Sequence, residues 1–313
     1  MNLIKKSLLV TAAAAALGLA AIGSAQASTF ASAILDINNF RLLHSNGTAF
    51  SNADFSTLTG TNDAHATASL NGVFANGASS LGILSGTTPD VAHQCVGAPC
   101  PPLAENNFTP FASPPPVPGN LGYADQNLTG SSISINGGPA GARATTRADA
   151  STAMNSVASG NSDVGTSTTF QFALGVADTM TIAFDATPFA QAFVSADAGA
   201  TSNANARMSW SINILDLSTG LSVFSFAPDE LNGQSTVSRT DGLPGTSTYN
   251  AALATFGFSE ITPLLAAGTT YQITIQHSTL ANALQQEVPE PGTLAIVAAG
   301  LLSMSLLSRR RKS

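Results

Sequence analysis

The chain has 313 residues, of which 44% are hydrophobic, 9% charged and 6% aromatic, with a formal net charge of −7. Without the segments at its two ends, the remaining roughly 260 residues are enough for one large domain or two small ones. Lysine and arginine are few and scattered outside the two ends of the chain, which excludes a nucleic-acid binder, because phosphate recognition needs clustered cations.

Residues 1–27 have the three-part order of a signal peptide. Lys5 and Lys6 supply the positive start, residues 8–22 are mainly Ala, Leu and Val, and Ala25-Gln26-Ala27 puts small residues at the two positions a signal peptidase reads. Export through the Sec machinery and cleavage before Ser28 are expected. The alternative is an N-terminal anchor, but the apolar run is short and the cleavage site follows it directly. Between residues 28 and 291 five arginines stand against 18 acidic residues, a formal −13, with no lysine. Such a surface favours solubility and attracts cations.

The exported body is rich in Ala, Ser, Thr, Gly and Asn, which suits strands and turns rather than long helices. Ile34-Leu35-Asp36-Ile37 and Phe40-Arg41-Leu42-Leu43 predict two strands, or a strand and a turn, before Asn46-Gly47. Asn71-Gly72 and Asn76-Gly77 are further turn signals. Residues 86–130 carry Pro99, Pro101, Pro102, Pro110, Pro114, Pro115, Pro116 and Pro118, and are expected to be a long loop or linker of polyproline II character. A loop of that length marks a domain boundary or a surface excursion. Within it, Cys95 and Cys100 are the only cysteines, and the oxidising destination makes a local disulfide the expectation. His93, Cys95 and Cys100 also offer three metal ligands. With no fourth ligand and no second Cys pair, no metal or other cofactor is expected.

Residues 140–165 are ambiguous between strand and coil. From Thr168 the period of two is plain. Phe170, Phe172 and Leu174, then Met180, Ile182 and Phe184, predict a hairpin about residues 175–178. Met208, Trp210, Ile212 and Ile214 lead through a turn at 216–220 into residues 221–226. Tyr271, Ile273 and Ile275 form a late strand. Strict alternation means one dry and one wet face. The fold class expected is all-β, an antiparallel β-sandwich of jelly-roll kind with a long Pro-rich loop. Phe170, Phe172, Phe184, Trp210 and Phe226 are expected in its core.

No G-x-S-x-G elbow, H-E-x-x-H, P-loop or EF-hand pattern is present. His44, His65, His93 and His277 are scattered. Asp36 with Asp229-Glu230 could supply a carboxylate pair, but nothing in the spacing supports glycosidase chemistry. Asn127 sits in an acidic glycosylation sequon, Asp125-Gln126-Asn127-Leu128-Thr129. No catalytic residue is assigned and no enzyme is expected.

At the C-terminus, Val288-Pro289-Glu290-Pro291 precedes an uncharged run at 292–308 and the cluster Arg309-Arg310-Arg311-Lys312. The run, as a transmembrane helix, would span about 25 Å, enough for a bilayer with some thinning. The cluster would stay cytoplasmic. These three ordered features resemble the PEP-CTERM sorting domain of Gram-negative bacteria. The resemblance implies an exosortase as partner, transient residence in the inner membrane, removal of the helix, and delivery to the cell surface alongside exopolysaccharide. The segment 264–275 is similar to the closing strand of many PEP-CTERM ectodomains. The stretch 61–72 is similar to a subgroup labelled EDSAP, and no residue role follows from it. Signals at both ends without a catalytic constellation point to a non-enzymatic surface or matrix protein of exopolysaccharide or biofilm. The alternatives are a carbohydrate-binding module, which would need exposed coplanar aromatics from among Trp210, Tyr123, Tyr249 and Tyr271, and a secreted hydrolase, which would need acids converging in a cleft.

Overall fold

Alternating apolar and polar residues favour an extended chain with one dry face, and strands dominate the computed structural model, which describes residues 28–98, 100, 105–112, 119–153, 155–164, 168–196 and 200–287. In chain order they are β1 (Ser28–Leu43), β2 (Phe55–Leu70), β3 (Val73–Gly82), β4 (Gln94–Ala98), β5 (Asn120–Thr129), β6 (Ala142–Ala153), β7 (Ser156–Val164), β8 (Thr168–Leu174), β9 (Thr181–Val194), β10 (Ala200–Asp216), β11 (Leu221–Phe226), β12 (Gln234–Arg239), β13 (Gly245–Tyr249), β14 (Phe256–Ile261) and β15 (Tyr271–Glu287). The helical elements among the described residues are two three-residue 3-10 turns, Asn52–Asp54 and Asp229–Leu231. None is long and apolar enough to cross a membrane. The fold is all-β, and every strand pairing is antiparallel.

Two sheets pack face to face. The seven-stranded sheet runs β13-β9-β1-β6-β5-β4, with β14 also on β9; the eight-stranded sheet runs β11-β10-β15-β7-β2-β3, with β12 on β10 and β8 between β15 and β2. The backbone of the second sheet is the β10–β15 pair, which is in register without a break from Ala200 opposite Glu287 to Asp216 opposite Tyr271.

One hydrophobic core lies between the sheets, and it changes character along its length. At one end β1, β6, β10 and β15 turn alanines inward: Ala31 and Ala33, Ala148 and Ala150, Ala204 and Ala206, Ala281 and Ala283. There the sheets approach backbone to backbone. A Cβ on Gly160 of β7 would overlap the Tyr123 carbonyl oxygen of β5, and one on Gly122 would overlap carbonyls of Ser159 and Ser69. At the other end Phe40, Phe172, Phe184, Trp210, Ile212 and Tyr271 fill a wider space, with the Phe184 and Trp210 rings 4.6 Å apart. The expected core stripe is therefore buried, with Phe226 half-buried against it.

Three local expectations change. The two runs in residues 34–43 are one strand, β1, broken by a bulge at Asn39 (φ 55°), where the register shifts. The extra residue reverses the face, so Ala31, Ala33, Leu35 and Ile37 point inward before it and Phe40 and Leu42 after it. The runs at 170–174 and 180–184 are not a hairpin: β8 pairs with β15 and β2, while β9 pairs with β1 in the other sheet. The short apolar turn allows either outcome, and the chain crosses between layers. Finally, residues 86–130 are not structureless. Apart from Pro89 the prolines crowd into 99–118, and the proline-free stretch 120–129 forms β5, paired with both β4 and β6. Asn71-Gly72 does make the β2–β3 turn (φ 49° and 81°), whereas Asn76-Gly77 lies inside β3.

Candidate functional site

The two ends of the described body, Ser28 and Glu287, lie at one place in the fold. Ser28, the first residue expected after leader removal, begins β1, and Glu287, the residue before the Val288-Pro289-Glu290-Pro291 motif, ends β15. These ends lie on facing sheets and touch: Thr29 Oγ1 donates to Gln285 Oε1 at 2.6 Å, and Ser202 Oγ donates to the same oxygen at 2.7 Å. The Ser28 amide donates to Ser195 Oγ at 2.7 Å, and its carbonyl accepts from the Ser195 amide. Both chain ends thus leave from the narrow, alanine-packed pole. Ala25 and Ala27, the motif Val288 to Pro291, the 292–308 run and Arg309, Arg310, Arg311 and Lys312 lie outside the described residues.

The expected disulfide is present, joining Cys95 in β4 to Cys100 with Cα atoms 6.1 Å apart. It belongs to a strap that crosses the outer face of the seven-stranded sheet. Residues 105–112 of the strap lie over Tyr123, Asp125, Arg147 and Asp149, all buried. Arg147 Nε donates to Asp149 Oδ2 at 2.6 Å, and its Nη1 donates to the carbonyls of Asn107 (2.9 Å) and Thr109 (2.8 Å). Its guanidinium stacks over the Phe111 ring, 4.8 Å from the centroid, and Phe111 meets Phe30 edge-on. Asp125 accepts from the Asn106 amide (2.9 Å), the Tyr123 hydroxyl (3.1 Å) and the Gln126 amide (2.8 Å). His93 is paired with Glu105 and stacks on Tyr123. Burial first, and then the charge of Glu105, raise the Asp125 carboxyl to about 6. Burial and the adjacent Asp125 push the Tyr123 phenol up.

None of this network was singled out in the sequence as a structural latch. The signal that could have found it is the strand-spaced pair Arg147–Asp149 opposite Tyr123–Asp125, four polar residues on one face of two neighbouring strands.

The remaining candidates are engaged locally. His44 Nδ1 is 2.7 Å from Asp178 Oδ2, its Nε2 is 3.2 Å from Asp54 Oδ2, and His65 Nδ1 is 2.8 Å from Asp163. Asp36 accepts both Arg143 nitrogens at 3.0 Å and the Thr145 hydroxyl at 2.7 Å. Asp229 and Glu230 form a surface 3-10 turn. Asn127 Nδ2 donates to Asn106 Oδ1. Of the four possible sugar platforms, Trp210, Tyr123 and Tyr271 are buried, and Tyr249 is half-buried with its hydroxyl donating to the Glu230 carbonyl. Among the described residues no group of three or more His, Cys, Asp or Glu could hold a metal ion.

Residues 287–312 match the PEP-CTERM protein-sorting motif. No curated protein matches the chain. Among solved structures, the SPP1 Dit (gp 19.1) protein, described as a paradigm of the hub adsorption apparatus in Gram-positive infecting phages, aligns at 13% identity over 79% of this chain and 98% of its own, with a TM-score of 0.10. That score carries no argument about fold or function.

Proposed function

We propose that this chain, whose residues 287–312 match the PEP-CTERM protein-sorting motif, is a non-enzymatic structural component of the cell surface or extracellular matrix, working with exopolysaccharide or biofilm. The motif implies an exported protein that an exosortase sorts. In this reading signal peptidase frees Ser28, the apolar run holds the chain in the inner membrane, the basic cluster stops transfer because four cations are costly to move across hydrocarbon, and the exosortase removes the helix.

The observation that carries the reading is the position of the match, which begins at Glu287, where β15 ends. Pro289 and Pro291 keep the segment beyond it extended, and an extended segment is what a peptidase binds through its backbone. The two-layer body, a β-sandwich of jelly-roll kind in this reading, is what the helix leaves behind. Its candidate aromatics are built into the interior, which favours a structural role over a carbohydrate-binding module. Asp36, Asp54, Asp149, Asp163 and Asp178 are held by arginine, histidine or hydroxyl partners, which favours it over a secreted hydrolase.

The test is mass spectrometry of the C-terminal peptide from surface-extracted protein, in cells with and without the exosortase. Cleavage near Glu290 in the first and an intact tail in the second is expected. An intact peptide reaching past Leu294 on wild-type surface material would overturn the sorting step and leave a plain membrane anchor.

A further inference from the structure

The outer face of the eight-stranded sheet carries an open groove of about 570 Å³, within the usual range for small-ligand sites of about 300–1,000 Å³. Strand register builds it. Arg207 of β10 stands opposite Gln234 of β12 and Leu280 of β15, and Leu280 stands opposite Asn161 of β7. Two residues along the same strands, Ser209, Ser278 and Asp163 make a second row. Residues directly opposite one another in antiparallel strands share a face. Here it is the outer face, because Ala206, Met208 and Ala281 alternate with them and turn into the core. All of these outward residues line the groove. With strands about 4.8 Å apart, Arg207 and Asn161 flank Leu280 across roughly 10 Å.

The Arg207 side chain is exposed, and among the described residues no carboxylate pairs with it. Asp163 is engaged by His65 at 2.8 Å. In β10, β12 and β15 the acidic residues stand only at strand ends, Asp216 and Glu287, so Arg207 sets a positive local charge on an otherwise acidic body. A planar guanidinium takes a carboxylate through two parallel bonds. Half-buried Leu280 beside it is an apolar floor, and the carboxamides of Asn161 and Gln234 and the Ser278 hydroxyl offer donors and acceptors around that floor. A simple carboxylate would use Arg207 alone. A ligand that uses the whole set has a carboxylate, a ring with an apolar face and several hydroxyls.

We propose that this groove binds a uronate residue of an acidic saccharide, its carboxylate on Arg207, its ring over Leu280 and its hydroxyls on Asn161, Gln234 and Ser278. The inference rests on the matrix reading above and deepens it, since a guanidinium and carboxamides, rather than an aromatic platform, make the contact with polysaccharide.

The test is isothermal titration of exported protein recovered from cells with trigalacturonate and with the neutral galactose trisaccharide of the same linkage. Saturable binding of the acidic sugar is expected, at least about tenfold tighter than the neutral one, because the charge-assisted bonds to Arg207 are lost in the latter. Arg207→Gln, at an exposed position, should keep the wild-type circular dichroism and bring trigalacturonate down to the affinity of the neutral sugar. Arg239→Gln removes an arginine of β12 that does not line the groove and should leave both affinities unchanged. No saturable binding of trigalacturonate, equal affinities for the two sugars, no effect of Arg207→Gln, or an equal loss in Arg239→Gln would overturn the proposal. Any of these would leave the sorting test untouched, because the titration reads the folded body and the mass spectrum reads the C-terminal peptide.

Discussion

Arg147 shows how much a single side chain carries in a chain with so few cations. It is fully buried, ion-paired to Asp149 and bonded to two strap carbonyls. Removing one member of a buried pair leaves the other charge uncompensated, so Arg147→Ala should cost about 3–5 kcal/mol in urea unfolding. Arg147→Met with Asp149→Leu should recover most of that loss, because it removes both desolvated charges at once. Two other buried groups set the acid response in opposite directions. The folded Asp125 carboxyl, at about 6, lies above its ordinary 3.8, so the fold disfavours the ionised form and stability rises as pH falls through about 6. The folded His277, at about 4, lies below its ordinary 6.5, so stability is lost as pH falls from about 6.5 through 4. The windows overlap and the effects oppose one another. Melting temperatures stepped from pH 7 to 4 should therefore fall more steeply in Asp125→Asn than in wild type, and less steeply in His277→Gln. Parallel curves for all three proteins would show that neither group controls the acid response.

At the level of elements, the alanine columns and the glycines at the crossing of β5 and β7 act together. Small inward residues let two sheets approach more closely than the usual spacing of about 10 Å between layers. Gly160 is the tightest point, because a Cβ there meets backbone rather than a movable side chain. Gly160→Ala should thus destabilise by at least about 3 kcal/mol, more than ordinary overpacking. Gly137→Ala, at a turn where a Cβ meets nothing within 4 Å, should cost less despite its φ of 81°. The measurement is denaturant unfolding of the pair, and equal costs would show that the close sheet approach does not limit the Gly160 position. The bulge in β1 acts at the same level. By reversing the face at Asn39 it lets one strand give alanine to the narrow pole and Phe40 and Leu42 to the wide one.

For the molecule as a whole, the tie between Thr29 and Gln285 brings Ser28 and Glu287, the two ends of the described body, to one pole, and in the proposed sorting that narrow pole would face the membrane while the tail is attached. Because β15 is paired through Glu287, the motif follows the sheet without a linker. Inserting a six-residue Gly-Ser spacer between residues 287 and 288 should speed cleavage by relieving crowding at the peptidase. Immunoblots of pulse-labelled cells should show precursor disappearing faster than in wild type, and an unchanged rate would mean that the motif is already fully reached.

The sequence by itself determined the features that depend on neighbours along the chain: the leader order ending at Ala27, the Pro-Glu-Pro motif with its apolar run and basic cluster, the Cys95–Cys100 bridge, the β10–β11 turn and the dry faces of the late strands. Each is written within a few residues, where local sterics, spacing and period act. The tertiary structure alone decided which strands became neighbours. A period of two says that Phe170 and Phe184 each face a core, but not that β8 and β9 lie in different sheets, because both solutions bury the same side chains. It also decided that residues 105–112 lie over one sheet, burying Arg147, Asp149 and Asp125 on a face that alternation marks as wet. The reason is that a residue's polarity reports what it can satisfy, whereas burial depends on which distant backbone arrives to satisfy it; for Arg147 those partners are carbonyls 40 and 38 residues away.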